Sequence, residues 1–288
     1  MTDDRGLKTD DGKRRKEMNV EHRTLNVERR ASSIEYRASR PAFSLMEVLI
    51  AVGTLALGML FIASVFPAGV YWTTVASERT ISAVAAEDAF ATIKLYGLYD
   101  ANWVAGGQTP LEAVSPISSY SYEYAYPSDG VNLNLKKYWW SAICRKIDLL
   151  DPCSVQVTVF VSRKIGSGTN YYVRSSIAPP ALITSFQRPV PVYMSVGPGS
   201  RLDELIVNDL VVDSINETTF INDGYTIVDD SYGQVYRVLE RYSTLPNTIR
   251  LDKNWQGGVL PGKVWVVPPP VGGGRYPCIA VYQKVMRF

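Results

Sequence analysis

Histidine is nearly missing from this 288-residue chain; the one example, His22, stands in an N-terminal stretch read below as a leader. A mature chain without it has no imidazole, which excludes Ser-His-Asp and Cys-His catalysis and the common His-based zinc sites. Phosphate-binding loops are lacking too. Gly166-Ser167-Gly168 and Gly272-Gly273-Gly274 have no lysine and helix after them, so they read as turns or exposed loops. The net charge is only +2, so nothing in the whole-chain balance calls for a nucleic-acid partner. An enzyme is not expected. Charge is also scarce in one long run: between Phe43 and Phe66 the only charged residue is Glu47.

What is present begins with a basic end. Residues 1–42 hold 11 Lys/Arg and 8 Asp/Glu, leaving 19 and 20 for the rest. This end is charged throughout, almost free of aromatics, and offers too little apolar surface to offset the entropy of ordering. The remainder is long enough for one substantial domain plus accessory segments.

The run FSLMEVLIAVGTLALGMLFIASVF, residues 43–66, would make roughly 35 Å of helix, enough to cross a hydrocarbon core of about 30 Å. It is longer than the apolar region of a conventional secretory signal. Arg23, Arg29, Arg30, Arg37 and Arg40 precede it, and Tyr71 and Trp72 follow it. The positive-inside rule therefore puts the leader in the cytoplasm and everything beyond Trp72 outside it. Pro67 and Gly69 predict a kink or break just past the run. An acid within such a segment costs up to about 2.5 to 3.5 kcal/mol, so Glu47 calls for a cationic partner.

Ala42-Phe43-Ser44-Leu45-Met46-Glu47-Val48-Leu49-Ile50-Ala51 resembles the class III signal of type IV prepilins and type II secretion pseudopilins, especially the minor ones. The match covers about a tenth of the chain and departs from the usual pattern at Ala42, where glycine is typical. The resemblance implies cleavage between Ala42 and Phe43 by a prepilin peptidase and N-methylation of Phe43. It also implies that Glu47 neutralises the Phe43 ammonium of a neighbouring subunit during assembly. The implied partners are that peptidase, other pilin or pseudopilin subunits, an inner-membrane assembly platform and membrane lipid. The implied location is a single-pass inner-membrane protein whose head is periplasmic or extracellular. A membrane-anchored adhesin or binding module that never polymerises is the alternative.

Helical periodicity resumes through Ile81, Val84, Ala85, Ala89, Ile93 and Tyr96, with Gly97 as the stop. From about Tyr99 short alternating runs read as strands: Val155 to Val161, Val235 to Leu239, Val264 to Val267, and Ile279 to Tyr282. The expected class is α+β, with a long N-terminal helix (43–98) packed on an antiparallel β-rich head (99–288). Pro179-Pro180 and the stretch from Pro189 to Pro198 could divide that head into two lobes.

Three further groups carry expectations. Tyr120, Tyr122, Tyr124 and Tyr126 alternate, so a strand there would show four tyrosines on one face, covering an apolar layer or stacking on sugars or bases. Cys144 and Cys153 flank Asp148-Leu149-Leu150-Asp151-Pro152, and a hairpin would bring them into disulfide range, with Cys278 left over. Asp223, Asp229 and Asp230 could supply oxygen ligands to calcium, as in the heads of some pseudopilins. Acids beside glycine also make turns, and no EF-hand spacing is present.

Overall fold

The computed structural model describes residues 43–99, 107–117, 122–128, 135–147, 153–166, 170–173, 181–183, 187–197, 201–209, 215–245, 247–257 and 262–288. The leader with Ala42, Tyr120 of the tyrosine row, the 148–152 turn, Pro179-Pro180 and Pro198 lie outside these residues. The chain divides into two compact units, Met1–Val70 and Tyr71–Phe288.

The first unit contributes the start of helix α1 (Leu45–Tyr96). Ser44 begins it: its hydroxyl accepts from the Met46 N–H at 3.3 Å and its carbonyl from Glu47 and Val48, taking up donors that a helix start leaves orphaned. All side chains from Phe43 to Val70 are exposed. Of the kink or break expected at Pro67 and Gly69, a break does not occur; α1 runs through both. Proline removes only the bond that would return to Ala63, and a long apolar helix survives the loss of one such bond.

In the second unit α1 buries Ser82, Ala85, Ala86, Ala89, Phe90 and Ile93, a stripe at the i, i+3, i+4 spacing of one helix face. Its axis lies to one side of the expected stripe, since Val84 and Tyr96 are exposed. Gly97 adopts φ +72° and its N–H caps the Ile93 carbonyl at 3.0 Å, the left-handed ending that glycine adopts without penalty.

There follow β1 (Thr109–Pro110), α2 (Leu111–Val114), β2 (Ala125–Tyr126), β3 (Tyr138–Lys146), β4 (Ser154–Arg163), β5 (Tyr171–Val173), β6 (Ala181–Ile183), β7 (Val190–Ser195), β8 (Glu204–Asn208), β9 (Thr226–Asp229), β10 (Val235–Arg241), β11 (Thr248–Leu251), β12 (Gly262–Val266) and β13 (Cys278–Arg287). One sheet has the order β1-β3-β4-β13, with β2 also on β3; β7 to β12 close into a barrel ordered β10-β11-β8-β7-β12-β9; β5 pairs with β6. All pairings are antiparallel. The class is α+β as expected. The barrel is a feature that the sequence patterns did not specify, and it is inserted between β4 and β13 of the sheet.

The sheet is covered on both faces. Ala142, Cys144, Val155, Val157, Val159 and Val161 share a core with the α1 alanines and Ile93. Ile143 and Phe160 point the other way, into a cluster with Val228 and Trp265 of the barrel and Cys278. β4 is buried on both faces although its sequence alternates: Thr158 and Phe160, between the valines of the α1-side core, are fully buried as well. The barrel has its own core, including Val192, Leu205, Ile227, Tyr236 and Ile249, and closure leaves it without a free edge.

Among the described residues, from Tyr122 on, the tyrosine row is not one strand. Tyr122–Tyr124 form a 3-10 turn, and only Tyr126 enters β2. Tyr124 is fully buried and meets the Trp140 ring at 4.9 Å. It belongs to the sheet core rather than to an exposed aromatic face.

Candidate functional site

The residues with the clearest chemistry of their own stand at the start of α1. Phe43 and Leu45 are among the most exposed apolar side chains described. Among the described residues, α1 is the one helix long and apolar enough to cross a membrane. Tyr71 and Trp72 lie past the apolar run with their rings edge-on at 5.5 Å, a pair suited to a membrane interface.

Glu47 also stands in the first turn of α1, a position that its motif reading did not consider. With Ser44 at the cap, Glu47 is the third helical residue, and Ser44-Leu45-Met46-Glu47 has the capping-box form in which an acid at that position favours the helix N-terminus. The S-x-x-E spacing was legible in the sequence. Glu47 therefore has two separable contributions, a helix-start preference shared with glutamine and a net negative charge that glutamine lacks.

The three aspartates do not converge. Asp223 accepts from the Arg241 N–H at 2.6 Å. Asp229 is buried and its Oδ2 accepts from the Tyr232 N–H at 2.6 Å; burial holds its carboxyl above the usual range. Asp230 Oδ1 accepts from the Gln108 N–H at 3.0 Å and from the Trp265 indole at 2.7 Å. Among the described residues no group of three or more His, Cys, Asp or Glu is placed to hold a metal ion. Asp229 and Asp230 instead belong to the seam between sheet and barrel. There the Arg145 guanidinium donates to the Ser231 carbonyl at 3.0 Å, and the Gln283 amide to the Gly233 carbonyl at 2.6 Å.

The cysteine hairpin forms, but its register changes the expectation. Cys144 faces Val157, and Lys146 faces Val155, so Cys153 lies beyond the paired segment instead of opposite Cys144. No disulfide joins Cys144, Cys153 and Cys278. The facing geometry that a Cys144–Cys153 bond needs is not met in this register. Burial pushes the Cys144 thiol well up and the Cys278 thiol to about 12. Both are therefore protonated at neutral pH and poor nucleophiles.

Comparison of the chain with protein-family models, curated proteins and solved structures finds no match. The chemistry of the residues is thus the basis for function.

Proposed function

We propose that the chain is a structural subunit, of the minor kind, of a type IV pilus-like or type II secretion pseudopilus filament. On this reading it is processed between Ala42 and Phe43 and assembled through α1. The observation that carries the reading is the placement of Phe43 and Glu47 at the head of a single continuous helix. That helix opens as an exposed apolar run and ends as the packing stripe of a β-rich domain. A subunit held only by its head would have no use for an acid four residues into a membrane segment, where charge is costly. A neighbouring subunit's terminal ammonium is the cation that would offset that cost.

The first-turn position of Glu47 makes the choice of variant matter. Glu47→Gln keeps a residue suited to the third helical position but removes the charge. It should insert into the membrane at least as well as the parent while incorporation into filaments falls by tenfold or more, read by fractionating membranes and sheared filaments. Equal filament incorporation of Glu47→Gln would remove the ion pair and favour a membrane-anchored module that does not polymerise.

A further inference from the structure

At one end of the barrel, where β9 begins and β12 ends, lies a cavity of about 280 Å³. Mouths of β-barrels are common places for small-ligand sites. Two tyrosines form its aromatic wall, and each is held by a second ring. Tyr225 stacks on Tyr276 with centroids 3.7 Å apart, and Tyr172 leans on Phe220 at 4.9 Å. Rings fixed in this way lose little freedom when a ligand arrives.

The polar wall is neutral. Thr219 and Asn222 supply a hydroxyl and an amide, and none of the lining residues described is charged. The amide is oriented from behind, with Asn222 Nδ2 donating to the Thr219 carbonyl at 3.2 Å and Arg241 Nη1 approaching Asn222 Oδ1 at 3.4 Å. At the rim, Gly272 and Gly273 adopt φ +92° and +88°, and a Cβ on either would meet nothing within 4 Å. Their left-handed backbone favours glycine, and the missing side chains leave the mouth open and the rim backbone bare.

We infer that this cavity is a binding site for an uncharged, hydroxyl-rich ring, a sugar residue of a neutral glycan. A neutral lining gives an anion or a cation no ion pair to repay its desolvation. Thr219 Oγ1 donates to the Asn216 carbonyl at 2.7 Å and keeps its lone pairs, and Asn222 Nδ2 keeps a second proton, so a purely apolar ligand would bury this remaining capacity unmet. A sugar matches both walls: its C–H face lies on a tyrosine ring, and its hydroxyls both donate to and accept from amide, hydroxyl and backbone groups. The site is independent of filament assembly, since no residue of α1 lines it.

The test uses the full chain in a sugar-free detergent on a printed array of neutral, sialylated and sulfated glycans, with decaproline as a peptide probe. Saturable retention of neutral glycans is expected. It should weaken at least tenfold in Thr219→Trp, whose indole replaces an exposed side chain and fills the mouth, and in Tyr172→Ala, with the thermal melt of Thr219→Trp matching the parent. Retention of no neutral glycan, preference for the charged glycans or for decaproline, or neutral-glycan binding undiminished by Thr219→Trp would each overturn the assignment.

Discussion

Arg163 on β4 grips both carboxylate oxygens of Glu78 on α1 through one nitrogen, at 2.5 and 2.6 Å. Arg275 approaches the same carboxylate at 3.6 Å. Both members of the main pair are mostly buried, at 13% and 17% side-chain exposure. Together with the hydrogen bond of Ser82 to Tyr282 at 2.9 Å, this pair fixes α1 against β4 and β13.

Removing one partner should therefore cost more than removing both. Arg163→Leu leaves Glu78 mostly buried with only the longer Arg275 contact, and should destabilise the protein by about 3 kcal/mol. Adding Glu78→Leu should recover most of that loss. Denaturant titration of the full chain in detergent gives both numbers, and additive losses would show that the pair acts as two independent surface charges.

Two glycines with nearly the same backbone should respond differently to alanine. Gly224 has φ +77° and open space where a Cβ would go, whereas Gly233 has φ +69° and a Cβ there would lie 2.4 Å from Gln156 Oε1 and 2.7 Å from Gln108 Nε2. Gly224→Ala should cost about 1 kcal/mol, the left-handed penalty alone. Gly233→Ala should cost roughly 2 to 3 kcal/mol, because it also forces amides out of the seam. Equal losses in the melt would mean that the seam has slack.

The buried thiols predict an alkaline limb in stability. Cys278 titrates near 12 when folded against an ordinary 9.0, so the folded form holds its proton over a range where the unfolded form releases it. The stabilisation from that proton is complete below about pH 9 and is lost as pH rises toward 12. One such group contributes a slope of about 1.4 kcal/mol per pH unit. Cys278→Ala should flatten the fall of stability between pH 9 and 10 by roughly that amount. In a thiol-reagent assay at pH 8, exposed Cys153 should react first, while Cys144 and Cys278 wait for denaturant.

Local pattern carried much of the fold. The end of α1 at Gly97, the strands around Val159, Val238, Val264 and Val281, and the α+β class all follow from periodicity and turn residues within a few positions. The phase of the helix stripe did not, because Val84 and Tyr96 are apolar yet exposed, and apolar type alone cannot say which flank meets the sheet. Barrel closure joins β7 to β12 and β9 to both β10 and β12; several of these pairings span dozens of residues, and no local pattern encodes them. The hairpin holding Cys144 was legible, but its register depends on turn length, and a different register gives Cys144 a different partner. At the helix start the motif made Phe43 and Glu47 visible, while the cap formed by Ser44 was hidden behind it.

In a filament subunit made from a prepilin, Phe43 becomes the first residue of the mature chain. Intact-mass and N-terminal peptide mass spectrometry of the protein recovered from its native membranes reads that terminus. The expected result is a chain beginning at Phe43 with a methyl group on its amine, and retention of the leader in Ala42→Leu, whose larger side chain blocks the cut. A chain that keeps residues N-terminal to Phe43, or an Ala42→Leu variant processed as well as the parent, would contradict it.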